Sequence, residues 1–356
     1  GGSAPMPSPA PRTAPRHCRA TPAAGRKGAR APFRPAPGRA MVRPMTTLRS
    51  SDGAPAHRFA FGAMQIGGAA DEAASAAMVE AALAAGITHF DTAYIYTEGR
   101  SEEILGRLLR PHRDRVTIAT KAGYTGGAAP ATLQAQFDAS RRRLGMDRVD
   151  ILYLHRWDPE TPLARTMDWF AETQAAGHVA RIGLSNFAAW QVMKAQALAA
   201  ARGTRIDVIQ PMYNLVKRQA EVELLPMCAA EGIGPVAYSP LGGGLLTGKY
   251  ARAGAAGRLA ENDRYARRYG PRWMHAAAEA LAEIAAELGT HPATLAAAWV
   301  AAHPAGPVPI LSARSAGQLA PSLAAIGFPM DAQLRARLSA LTPAPPPATD
   351  RLEEQE

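Results

Sequence analysis

Several side chains able to hold or move a proton stand at regular intervals, each behind a short apolar run. Asp91 closes "ITHF", Lys121 closes "TIAT" and His155 closes "ILYL", with Tyr94 and Tyr96 just after Asp91 in "FDTAYIY". A carboxylate at the tip of a buried strand is unstable without a partner, and an ammonium is the natural one. A lysine held by Asp91 would favour the ionised phenol of Tyr96 and so lower its pKa. A tyrosine tuned in this way can give a proton to a developing alkoxide. Taken singly, each residue has a plainer reading. Lys121 would be a lysine snorkelling from a strand end, His155 a core histidine, and Tyr96 a loop tyrosine. The chemical signal lies in the set.

That set needs a frame that brings separate strand ends together. After residue 57, β-like runs alternate with helical patterns: "RFAFGAM", "ITHF", "RVTIAT", "VDILYL", "VARIGL", "IDVIQ", "GPVAY" and "GPVPIL". The runs are continuously apolar, as in a parallel sheet covered on both faces. Helices are expected from Asp71 to Gly86, over roughly 130–144 and 162–176, and over "SEEILGRLLR" with Ser101 as N-cap. Eight strand–helix units predict a (β/α)8 TIM barrel in a single domain. An open dinucleotide-binding sheet would need Gly-x-Gly-x-x-Gly after its first strand, and "QIGGAAD" has the wrong spacing. Ser185–Asn186, Gln210 and Tyr238–Ser239 end the next three runs. Barrel active sites lie where such strand ends converge.

Composition restricts the remaining possibilities. The formal charge is +10, but residues 1–56 hold ten basic side chains, one acid and 11 of the 30 prolines. Such a segment buries too little apolar surface to offset chain entropy and is expected to be disordered. It reads as a leader ahead of a start at Met41 or Met45, as an Arg-rich targeting segment, or as a nucleic-acid arm. The third reading has a single aromatic residue, Phe33, and no folded motif beside the charge, so no nucleic-acid partner is expected. No apolar stretch is long enough to span a bilayer, so no membrane partner is expected either. Cys18 and Cys228 lie in different contexts and form neither a disulfide framework nor a metal cluster, which fits a reducing cytoplasm. The expected organisation is a basic Pro/Ala-rich tail over 1–56, a barrel over 57–343 and a short tail over 344–356.

Over about 57–343 the chain resembles the aldo-keto reductases, in the bacterial branch similar to aryl-alcohol dehydrogenases and potassium-channel β subunits. The matching motifs, in order, are "FDTAYIY…GRSEEILG", "TIATK", "LYLHRWDP", "IGLSNF", "IQPMYNLV", "YSPLGGGLLTGKY" and "ILSARSAGQL". The resemblance implies Tyr96 as proton donor, Lys121 and Asp91 as its tuning pair, and His155 as the residue that orients the substrate. It implies a nicotinamide dinucleotide, NADPH before NADH, laid over the barrel mouth. Ser185, Asn186 and Gln210 would then bind the carboxamide and Tyr238 would stack on the nicotinamide. Gly62, Met64, Ser239, Leu241, Gly243 and Lys249 would line the cofactor path, with Lys249 and the glycine loop at the pyrophosphate. Arg314, Ser315 and Gln318 would hold the adenosine end, where Pro321 and Ser322 replace the family's usual Glu and Asn. Arg314 suits a 2′-phosphate. Tyr94 and Trp157 are expected to shape the pocket for a small carbonyl substrate.

Two other readings compete with reduction of an aldehyde or ketone. One is a cofactor-binding regulatory subunit on the same fold with little catalysis. The other is an aldolase using Lys121 as Schiff-base nucleophile. The segment after the seventh run, from Ser239 to about residue 271, is expected to be the longest loop and a binding segment. Neither the substrate nor the oligomeric state can be read from the residues.

Overall fold

In the computed structural model the eight apolar runs form eight parallel strands closed into one barrel, in chain order. The structure describes residues 1–2, 57–251, 256–349 and 351. The chain divides into residues 1–41 and residues 42–356. Residues 3–56 of the basic tail lie outside the described residues, and the barrel belongs to the second unit. The strands are β1 (Ala60–Gly62), β2 (His89–Asp91), β3 (Thr117–Ala122), β4 (Val149–Leu154), β5 (Val179–Ser185), β6 (Ile206–Gln210), β7 (Gly234–Ala237) and β8 (Val308–Leu311). β1 pairs with both β2 and β8, which closes the ring.

Apolar side chains on alternate strand positions fill the barrel interior: Ala60, Ala119, Ile151, Tyr153, Val208, Val236, Val308 and Ile310 form one buried cluster. Side chains alternate across a strand, so neighbours such as Phe61, Phe90, Ile118 and Leu152 pack outward into the larger cluster under the helices. Asp91 and His89 share one strand face and are both buried. His89 makes no hydrogen bond through either ring nitrogen, and burial pushes its pKa down to about 4. The Ala-rich helix Pro292–Ala301 is buried from Ala293 to its end and packs against β8 and the helix Arg272–Glu287.

Helix positions follow the sequence expectations, with local corrections. Pro130–Leu144 and Leu163–Ala175 form as expected, and Asp71 caps Glu72–Ala84 through a bond from the Ala74 N–H. Ser101 is not an N-cap. The helix begins at Arg100 behind Gly99, and Thr97 Oγ1 accepts from the Ser101 N–H at 2.9 Å. The Ser101 hydroxyl instead turns inward, 2.8 Å from Ala63 O and 2.8 Å from Thr92 Oγ1. Glu102 is also buried, accepting from Thr120 Oγ1 at 2.6 Å and Arg143 Nη1 at 3.2 Å. Gly106, in "EEILG", sits where helix Arg100–Leu109 crosses helix Pro130–Leu144. A Cβ there would stand 2.4 Å from Leu144 O.

The segment after β7 is more ordered than a long loop. It makes a 3₁₀ turn over Gly242–Thr247, then short helices Arg258–Glu261 and Asp263–Arg268. Asn262 ends the first and caps the second, accepting from the Arg264 and Tyr265 N–H groups. Only residues 252–255 of this segment lie outside the described residues. Among the described residues no helix is long and apolar enough to cross a membrane.

Candidate active site

At the C-terminal ends of the strands a cleft of about 1120 Å³ runs across the barrel mouth. Parallel strands with right-handed crossovers leave every βα segment at this end, so residues distant in sequence meet here. Asp91 ends β2, Lys121 lies one residue before the end of β3, and His155 follows β4. Lys121 is fully buried and ion-paired to Asp91 Oδ1. Its ammonium also donates to Thr92 O at 2.8 Å and lies 3.3 Å from the Tyr96 hydroxyl. Gln210 Nε2 donates to Asp91 Oδ2 at 2.8 Å, tying β6 to β2. The carboxylate therefore has a partner for each oxygen, which is what makes a charge tolerable in this position.

The direction of the Tyr96 shift corrects the sequence expectation. Burial raises the phenol's pKa, and the opposing pull of the Lys121 ammonium is too small to reverse it. Burial by itself would lower the Lys121 pKa, but Asp91 and Tyr96 outweigh it and hold the ammonium charged. At neutral pH the site thus presents a protonated phenol beside a permanent cation. A lysine so buried and so firmly protonated is a poor nucleophile, which speaks against Schiff-base chemistry. His155 is driven the other way. Burial, with Lys121 and Arg156 adding to it, lowers its pKa to about 2, so the imidazole is neutral. Its ring meets Tyr96 edge-on at 5.9 Å, and its Nδ1 is buried without a hydrogen-bond partner.

Four non-glycine residues among those described have left-handed backbone: Thr97, Glu98, Asn186 and Ser239, with φ between 48° and 60°. Thr97, Asn186 and Ser239 line the cleft, where strained conformations concentrate when a site fixes side-chain direction. Asn186 Nδ2 donates to His155 O at 2.9 Å, and Tyr238 Oη donates to Asn186 Oδ1 at 2.8 Å. Ser185 donates to Gln210 O at 3.1 Å. One network therefore links the ends of β4, β5, β6 and β7.

Gly62, Met64, Ser185, Asn186, Gln210, Tyr238, Ser239, Leu241, Gly243, Lys249, Arg314 and Gln318 all line the same cleft as Asp91, Tyr96 and His155. Four expected residues do not, and one of them, Lys121, is fully buried behind Asp91 and Tyr96. Ser315 is turned away as the N-cap of helix Ala316–Leu323, accepting from the Gln318 N–H. Tyr94 faces the back of the β2 segment, where the Arg143 guanidinium lies 4.7 Å from its ring centre and bonds its carbonyl at 3.0 Å. Trp157 packs edge-on against Phe187 and Trp190 at 5.6 and 5.5 Å. Sequence reasoning missed Tyr124, Arg156, Arg264, Tyr265 and Arg268, all in the cleft wall. Tyr124 and Arg156 had a signal in their positions, three residues after Lys121 and one after His155. Arg264, Tyr265 and Arg268 had none, because their direction depends on how the segment after β7 folds back. Arg314 is ion-paired to Glu261 of that segment at 2.8 Å. Among the described residues no group of His, Cys, Asp and Glu is placed to hold a metal ion.

Comparison with known proteins agrees with this geometry. Residues 58–342 match the model of the family described as "Aldo/keto reductase family". The chain is 39% identical over 225 residues to rat (Rattus norvegicus) "Aflatoxin B1 aldehyde reductase member 2", covering 60% of this chain and 61% of that protein. It is 31% identical over 307 residues to "Uncharacterized oxidoreductase YrpG" of Bacillus subtilis (strain 168), covering 81% of this chain and 93% of that protein. It is 33% identical over 257 residues to a "Probable voltage-gated potassium channel subunit beta" of Oryza sativa subsp. japonica, covering 64% and 74%. The chain spans about three fifths of the length of the aldehyde reductases it matches.

Proposed function

The chain belongs to the aldo/keto reductase family, and on that footing we propose that it reduces an aldehyde or ketone to the alcohol with NADPH as hydride donor. The observation that carries this reading is the buried Asp91–Lys121 pair with the Tyr96 hydroxyl 3.3 Å from the ammonium, beside neutral His155 in one cleft. The cleft fits a dinucleotide by its chemistry. It offers side-chain amides at the β5 and β6 ends and an aromatic ring after β7. Left-handed glycines Gly243 and Gly244 follow, with cations at Lys249 and Arg314. Ser185, Asn186 and Gln210 would hold the carboxamide, Tyr238 the nicotinamide face, Lys249 the pyrophosphate and Arg314 a 2′-phosphate. Gly62, Met64, Ser239, Leu241 and Gln318 complete the walls.

When bound, NADPH would supply the hydride that the carbonyl carbon takes up. Tyr96 gives its hydroxyl proton to the carbonyl oxygen as negative charge grows there. The raised pKa keeps that proton in place in the resting enzyme. The Lys121 ammonium then stabilises the phenolate as it forms, an interaction stronger in the transition state than before it. Asp91 and Gln210 fix the ammonium's position. Neutral His155 can donate one ring N–H to the same oxygen and orient the carbonyl. Solvent returns the proton to Tyr96.

The test is NADPH oxidation against a panel of aromatic and aliphatic aldehydes and ketones. Turnover that depends on both carbonyl and NADPH is the expected result. Tight NADPH binding without turnover on any member would overturn the enzymatic reading and favour a cofactor-binding regulatory subunit, the alternative suggested by similarity to a channel β subunit.

A further inference from the structure

The wall of the cleft is strongly one-signed. Arg156, Arg258, Arg264 and Arg268 line it with Lys249 and Arg314, while the one acidic residue lining it among the described residues, Asp91, is already bound to Lys121 and Gln210. Among the described residues, none of those first four arginines forms an ion pair. Two of them belong to a distinct place. Tyr124, in the segment after β3, lies against His155 with ring centres 4.9 Å apart. The Arg156 guanidinium, from the segment after β4, stands 5.0 Å from the Tyr124 ring centre. Arg264 reaches over from the segment after β7, with Nη1 3.4 Å from the Tyr124 hydroxyl. Two guanidinia thus bracket one tyrosine, which itself packs on the imidazole of the catalytic cluster.

The phosphates of a dinucleotide do not account for this pair. Lys249 and Arg314, which suit those phosphates, follow β7 and β8. In the closed ring β3 and β4 lie on the opposite side of the mouth. The Asp91, Tyr96 and His155 cluster stands on the β2–β4 side, so Arg156 and Arg264 flank the space on the substrate side of the reacting carbon. The charge of Arg156 reaches the reaction centre, since it is one of the groups lowering the His155 pKa. Guanidinium groups in a partly desolvated cleft are matched by planar or tetrahedral oxyanions through paired hydrogen bonds.

We propose that the carbonyl substrate carries an anionic group, such as a carboxylate, held by Arg156 and Arg264 beside Tyr124 while its carbonyl faces Tyr96 and His155. This rests on the reductase reading and adds to it the class of substrate. Tyr124 would form the wall between the two ends of the molecule.

A matched pair of probes isolates the charge: 4-formylbenzoate and its neutral methyl ester, which share ring, aldehyde and para substitution. With NADPH-loaded full-length protein, kcat/KM for the acid should exceed that for the ester by at least about tenfold, the effect of one to two charge-assisted bonds. The ratio should shrink as salt is raised. In the double variant Arg156→Gln/Arg264→Gln it should collapse toward one, chiefly through KM. Calorimetric binding of the same two probes to protein saturated with NADP⁺ gives the comparison without turnover. Tighter binding of the acid with no reduction of either probe would support the anion site and overturn the reductase reading. Equal binding and equal turnover of acid and ester, or a ratio untouched in the double variant, would overturn the anion site and leave the reductase reading standing.

Discussion

The ion pair between Arg314 and Glu261 makes cofactor choice a competition that can be measured. Arg314 follows β8 and lines the cleft; Glu261 ends the short helix Arg258–Glu261 and accepts from Arg314 Nη2 at 2.8 Å. Both side chains are substantially exposed, 39% and 48%, and solvent screens such a pair heavily. A 2′-phosphate carries nearly two charges and three acceptor oxygens, and its bonds to a guanidinium are worth roughly 1.5–3 kcal/mol. The phosphate should therefore displace Glu261. Arg314→Ala should raise the Kd for NADPH at least about tenfold, since roughly 1.4 kcal/mol is a factor of ten, and change that for NADH little. Glu261→Gln should tighten NADPH about two- to fivefold, the scale of an exposed pair removed as competitor. In the background of Arg314→Ala, Glu261→Gln should have no further effect, because Glu261 acts only through Arg314. Fluorescence titration of both cofactors against the four proteins completes the cycle. Equal losses for NADPH and NADH in Arg314→Ala, or an undiminished Glu261→Gln effect in the double variant, would refute the competition.

Buried groups give two other expected outcomes. His89, His155 and His303 are held neutral by burial, with pKa values lowered to about 4, 2 and 4. The unfolded chain binds protons at these residues near pH 6.5, where the native state does not. Stability should therefore be complete above about pH 6.5 and fall as the pH drops toward 4; a urea midpoint unchanged between pH 7 and 5 would contradict this. Gly106→Ala should destabilise by about 1–3 kcal/mol or more, because the new methyl meets the Leu144 backbone rather than a mobile side chain. An unchanged thermal midpoint would show that the two helices separate at no cost.

The barrel was legible because its signal is repeated eight times. Continuous apolar runs with polar residues at one end specify a parallel closed sheet, and each run falls on a strand. The same repetition placed Asp91, Lys121, His155, Ser185, Gln210 and Tyr238 at one mouth. Side-chain direction within the loops was not legible. Tyr94 and Tyr96 are two residues apart, yet Tyr96 faces Lys121 while Tyr94 packs on Arg143. That difference is set by the left-handed Thr97–Glu98 turn and the buried Glu102–Arg143 pair, which no local pattern announces. Ser101 read as a cap because serine often is one, but tertiary bonds to Ala63 and Thr92 took its hydroxyl. The Tyr96 shift was misread because the sequence displays the nearby cation and conceals the burial that outweighs it.

Tyr96 carries the proton transfer on which the proposed reduction depends. Tyr96→Phe removes only the hydroxyl that stands 3.3 Å from Lys121 and keeps the ring packed against His155. Single-turnover hydride transfer from NADPH, measured with 4-formylbenzoate and its methyl ester alongside the Kd for NADPH, separates chemistry from binding. The expected result is a rate lowered by two or more orders of magnitude, about the contribution of general acid catalysis, with NADPH affinity nearly unchanged. An undiminished rate in Tyr96→Phe would contradict this and remove Tyr96 from the mechanism.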